Sequence, residues 1–221
     1  MTSAVRPSFL DRQRIVRRGQ WLTAATLAYN SLEAMISVGA GVLAGSVALV
    51  GFGIDSLIEL GASAAGLWRL KADIDPESRA RVERVSSRLI GASFLVLAAY
   101  VAYEGLGSLL RRQAPDESPV GIVLAATSLI VMPVLARLKR RVASRLASGA
   151  LAAEARQTEI CAYLSAILLA GLTLNALLGW WWADPVAGLV MTPLIAREGV
   201  EGIRGEEHGG HSDGLPGAPE A

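Results

Sequence analysis

Ser46-Val-Ala-Leu-Val-Gly-Phe-Gly-Ile-Asp55-Ser-Leu-Ile-Glu59-Leu-Gly-Ala-Ser-Ala-Ala-Gly-Leu-Trp68 has the length and apolarity of a membrane-spanning helix, with two acids inside it. An ionised carboxylate in hydrocarbon costs several kcal/mol and marks an ion path or a proton relay. Asp55 and Glu59 are four residues apart, so they share one helix face and can hold one cation between them. The pattern predicts a route for a metal ion through a bilayer.

The composition agrees with a membrane setting. Of the 221 residues, 52% are hydrophobic and 19% charged, and the mean hydropathy is +0.41. Charge-free gaps run from Ala34 to Ile54, Ser118 to Ala136 and Ile160 to Ala183, each near the ~20 residues that cross a ~30 Å core. The net charge of +1 says little about partners, since placement matters more than the sum. Cys161 is the sole cysteine, so no internal disulfide forms. Arg6, Arg12, Arg14, Arg17 and Arg18 precede any apolar run, so no cleavable signal peptide is expected. No nucleotide loop, zinc finger or Ser-His-Asp set is present, and nucleic acid is not an expected partner. The only histidines, His208 and His211, lie in the tail.

The expected fold is all-α, an integral membrane bundle of six transmembrane helices. They are read at about Trp21 to Leu43, Ser46 to Leu70, Val85 to Leu110, Pro119 to Leu138, Ala153 to Trp181 and Asp184 to Ile203. Residues 1–20 form a basic N-terminal segment, 21–204 the membrane domain and 205–221 a disordered tail. Nineteen of the 21 lysines and arginines then fall on one side, leaving only Arg111 and Arg112 on the other. The bias predicts a cell-membrane protein with both termini cytoplasmic. Gly61 to Gly66 and Ala147 to Ala153 offer smooth surfaces for helix approach, or else reflect a chain rich in alanine. Trp180, Trp181 and Trp182 read as an interfacial belt.

Two carboxylates supply hard oxygen donors for a divalent ion. No lysine or arginine lies in the middle of a predicted span to pair with them. Further ligands must come from another helix, and the fifth offers Gln157 and Cys161 at i, i+4 and at similar depth. Cys161 also reads simply as packing. Glu33, one turn after Asn30 on the first helix, either lines an ion path or makes a helix contact. Glu154 and Glu159 either attract cations at the cytoplasmic mouth or are solvated by nearby arginines. Glu104 and Asp184 are expected in the outer interface. His208 and His211 either scavenge metal or do nothing.

Gly45-Ser-Val-Ala-Leu, Asp55-Ser-Leu-Ile-Glu59-Leu-Gly-Ala-Ser, Asn30 and Asp184-Pro185 together resemble the cation diffusion facilitator (cation efflux) family over about Trp21 to Arg204. The resemblance implies a transport site for zinc or a related divalent metal made of Asp55, Glu59, Gln157 and Cys161, with Asn30 and Glu33 as possible pathway residues. Family members usually place His and Asp where this chain has Gln157 and Cys161, which leaves the metal and the proton coupling open. The usual C-terminal cytoplasmic domain is expected to be lacking, so a homodimer would form through membrane helices. The expected function is divalent metal efflux by proton antiport, with the metal as cargo and no cofactor. The alternative is a membrane metal sensor or assembly subunit that binds without transport. Enzyme chemistry is not expected, because no histidine lies in the membrane to activate Cys161.

Overall fold

The computed structural model describes residues 9–71, 76–113, 115–146 and 149–204. They form six helices: α1 (Phe9–Ala44), α2 (Val47–Lys71), α3 (Pro76–Arg111), α4 (Pro119–Leu146), α5 (Gly149–Leu178) and α6 (Ala183–Arg204). The all-α expectation holds. Three helices run further than their apolar stretches: α1 begins within the basic N-terminal segment, α3 begins nine residues before Val85, and α4 continues eight residues past Leu138. Arginine, alanine and leucine are good helix formers, so the chain stays helical through these more charged stretches. The expected tail, with His208 and His211, lies outside the described residues.

Three turns close one end of the bundle. Gly45 adopts φ +66°, a left-handed conformation open to glycine, and lets α1 stop and α2 begin within two residues. Ser46 then caps α2, its Oγ accepting the Leu49 N–H at 3.1 Å. Ser118 caps α4 in the same way through Gly121 N–H at 3.1 Å, with Pro119 at the first helical position. The Asp116 N–H donates to Ala44 O at 2.8 Å, and Asn175 Nδ2 donates to Pro115 O at 3.1 Å. The ends of α1 and α5 are thereby tied to the α3–α4 loop.

α2 is the enclosed helix, packing against α1, α3, α5 and α6. Val47, Ala48, Leu49 and Phe52 join its polar residues Asp55, Ser56 and Glu59 in full burial. Large apolar side chains instead cover the outside of the other helices, among them Leu43, Val96, Leu110, Ile130 and Leu177. Four helical stretches are long and apolar enough to cross a membrane: Arg17–Ala44, Arg88–Arg111, Pro119–Arg145 and Glu154–Leu178. α2 and α6 are not among them. α2 carries Asp55, Glu59, Arg69 and Lys71, and α6 carries Asp184, Arg197, Glu198, Glu201 and Arg204.

Of the small residues expected at helix contacts, Gly66 and Ala147 to Ala153 lie outside the residues whose side chains the structure describes. Gly61 is exposed with open space around it. The touching backbones are those of α3 and α6, where a Cβ on Gly91 would lie 2.6 Å from Gly199 O and one on Gly199 would lie 2.9 Å from Gly91 O. α1 and α2 meet similarly, a Cβ on Gly53 falling 2.8 Å from Ser37 Cβ. Small residues let helices approach closely where no hydrophobic force drives them together in lipid. Gly91→Leu is therefore expected to destabilise by at least about 1–3 kcal/mol through overpacking against backbone that cannot yield. Thermal unfolding in detergent should show a lowered Tm for Gly91→Leu and little change for Gly61→Leu.

Candidate metal site

Asp55 and Glu59 lie nine and thirteen residues beyond Ser46 on α2. At 1.5 Å per residue that is about 14 and 20 Å along the helix from its cap. Both face inward and are buried, as is Cys161 on α5. Ligand atoms of these three residues all lie within 4.8 Å of one another. Donors on a four-coordinate ion with bonds of about 2.0–2.3 Å sit roughly 3.3–3.8 Å apart. Small rotations of three side chains therefore bring two oxygens and a sulfur onto one ion. Gln157 is one turn from Cys161 on α5 and half-buried.

Polar groups from neighbouring helices surround the cluster. Asn30 on α1 donates from Nδ2 to Glu59 Oε2 at 3.0 Å. Glu33, one turn further along α1, accepts from Ser56 Oγ at 3.0 Å and from the Ser128 hydroxyl of α4. Cys161 Sγ lies 3.9 Å from Glu33 Oε2. Ser128 is also bonded to the Tyr29 hydroxyl at 2.7 Å. Glu33 thus makes the helix contacts that one reading of it expected, and it adjoins the cluster.

Residues 23–204 match the family model described as the cation efflux transmembrane domain. The chain belongs to the cation efflux family. With four helices able to cross a membrane, it is a multi-pass membrane protein. It is similar to an uncharacterized transporter of Synechocystis sp., 28% identical over 160 residues, which cover 70% of this chain and 52% of that one. It is also similar to an uncharacterized transporter of Methanocaldococcus jannaschii, 24% identical over 174 residues, 76% of this chain and 61% of that one. The chain thus spans between half and two thirds of the length of these curated relatives.

Two features of this cation efflux protein depart from the sequence reading. Asp184 is fully buried instead of interfacial. It accepts from Ser46 Oγ at 2.5 Å and faces the free backbone N–H groups of Val47 and Ala48. A carboxylate there complements the positive end of α2 and locks α6 to it.

The second departure is Lys139, placed by sequence in a basic connection. It is buried in α4, 1% exposed, and pairs with Glu154 of α5 at 3.4 Å. Its Nζ also donates to Thr158 Oγ1 at 3.3 Å, while Thr23 of α1 donates to Glu154 at 3.1 Å. Lys139 is close enough to Glu59 for their charges to interact. A lysine is therefore present inside the bundle after all. The signal was legible: Ser128, Met132, Ala136 and Lys139 continue one buried stripe at helical spacing through the charged stretch. Glu159, by contrast, pairs with Arg140 as the arginine-solvation reading expected.

The Lys139–Glu154 pair is asymmetric, because Glu154 keeps 27% exposure and can reach water. Glu154→Leu strands a buried ammonium, a loss of the order of 3–5 kcal/mol, partly offset by Glu59. Lys139→Met strands a carboxylate that water can solvate. Thermal unfolding in detergent should show the larger drop in Tm for Glu154→Leu.

Proposed function

We propose that this protein exports a divalent metal cation, zinc or a close relative, from the cytoplasm across the cell membrane in exchange for protons. One observation carries the reading: ligand atoms of Asp55, Glu59 and Cys161 converge, buried, from two helices. Two carboxylates and a thiol buried together suit a dehydrated cation better than any neutral solute. α2, enclosed by four other helices, keeps these acids away from lipid.

In this reading all six helices span, and α6 projects its charged last turns into water. The basic ends of α1 to α5 face the cytoplasm, in keeping with the excess of positive charge there. The three turns at Gly45, 112–118 and 179–182 face outward.

The ion enters from the cytoplasmic end and exchanges water for Asp55, Glu59 and Cys161, with Gln157 as the further α5 ligand that the family resemblance implies. Only deprotonated carboxylate and thiolate coordinate well, so binding releases protons. Rocking of helix pairs then exposes the site outward. Protons from outside compete for the same oxygens and sulfur and release the metal. Acidity at the receiving face therefore favours release, and metal affinity falls as pH falls.

Proteoliposomes loaded with a pH-sensitive dye test this directly. Zinc added at the face of uptake should drive proton movement in the opposite direction, and Asp55→Ala should abolish it. Unaltered flux in Asp55→Ala overturns the proposal, and saturable zinc binding by the parent protein without uptake assigns it to a sensor or assembly role. Orientation is tested by single cysteines in a Cys161→Ser background. A membrane-impermeant maleimide applied to intact cells should label Glu117→Cys and spare Arg145→Cys, two exposed positions at opposite ends of α4.

A further inference from the structure

Asn30 is buried on α1, 1% exposed. Its nitrogen is engaged by Glu59, but its carbonyl oxygen Oδ1 is one of the few buried side-chain polar atoms, among the described residues, with no hydrogen-bond partner. An unpartnered buried acceptor costs about 1–3 kcal/mol, and native proteins rarely leave one without a use. Within an amide the oxygen sits roughly 2.3 Å from the nitrogen by standard bond lengths. Oδ1 therefore lies within roughly 5 Å of Glu59 Oε2, beside the cluster of Asp55, Glu59 and Cys161.

We propose that the side-chain oxygen of Asn30 is a further ligand of the transported cation beside Asp55, Glu59 and Cys161, so that the donors come from α1 as well as from α2 and α5. The inference rests on the reading of Asp55, Glu59 and Cys161 as the cargo site. Its chemistry is specific. An amide oxygen is a hard, neutral donor of the kind divalent ions take beside carboxylates. Two carboxylates and a thiolate already outweigh a dication, so a further neutral donor adds a bond without another negative charge in a dry interior. Before the ion arrives the amide faces Glu59 with its nitrogen, because its oxygen would oppose a carboxylate. Once Glu59 turns to the metal, a small rotation about the Asn30 side chain presents Oδ1 to the same ion. The cargo then pulls on α1 as well as on α2 and α5.

The test is a Co2+ titration of the purified full chain in detergent, read by the visible absorption bands that report the number and type of Co2+ ligands. Asn30→Ala should weaken Co2+ binding at least about tenfold, the lower end for losing even a supporting group of a metal site, and should shift those bands. Asn30→Asp keeps an oxygen and loses the N–H donor, and should bind Co2+ at least as tightly as the parent. Asp55→Asn separates the two claims. If Asp55→Asn abolishes binding while Asn30→Ala matches the parent in affinity and spectrum, the cargo site stands and Asn30 is no ligand. If Asn30→Asp binds more weakly than the parent, Asn30 serves only to position Glu59 and the proposal is overturned. If Asp55→Asn binds as the parent does, the cargo site itself is wrong and the Asn30 ligand falls with it. Should Asn30→Ala not purify as a folded species, Asn30→Asp against the parent decides alone.

Discussion

Asp55 and Glu59 place two acids in the interior of a helical bundle, and the surrounding structure is arranged to make them tolerable. In hydrocarbon a polar group must be satisfied by protein, since water does not reach it. α2 therefore sits inside, flanked by α1, α3, α5 and α6, while bulky apolar residues are pushed to the periphery. Around the acids and the neighbouring Glu33 stand groups that donate without adding charge: the amide of Asn30 to Glu59, and the hydroxyls of Ser56 and Ser128 to Glu33. Each of these residues is small, so it fits between helices at close approach.

The same constraint explains how the helices are held. Apolar faces gain little by leaving lipid for protein, so packing depends on shape and on interhelical polar links. Gly91 and Gly199 bring the α3 and α6 backbones into contact, and the Ser46–Asp184 bond fastens α6 to the first turn of α2. At the opposite end, Thr23, Lys139, Glu154 and Thr158 link α1, α4 and α5. The site lies between these two sets of links.

The fold class and the α2 acids were legible because burial of charge is so unfavourable that the sequence pattern has few alternatives. The pairing with Cys161 was legible from i, i+4 spacing combined with similar distance from a shared end. Lys139 is hard to place from sequence because charge signals the end of a span, whereas burial follows the helical stripe from Ser128 through Met132 and Ala136. Asp184 was misplaced for a related reason. Proximity to a turn suggested solvent, but the free N–H groups at the start of α2 form a stronger partner for a carboxylate than the interface does. Gly61 stood in a run of small residues, and its lack of neighbours shows that smallness alone does not say which face meets another helix. Which glycines touch depends on helix rotation, a property of the whole bundle.

The departure from the family pattern at Cys161 also follows from charge. A fourth carboxyl group beside Asp55, Glu59 and Glu33 would add negative charge to an interior that already has to carry three acids. A thiol is close to an apolar group when protonated and becomes an anionic ligand when a metal displaces its proton. Cys161 fits this role: Sγ is fully buried, within 4.8 Å of ligand atoms of both α2 acids and 3.9 Å from Glu33 Oε2. In the proposed cargo site, a thiol in place of a carboxylate would keep a donor at the α5 position and lower the cost of the site without its ion. It would do so by moving part of the site's charge from a permanent feature to one that appears only when the cation is there to balance it.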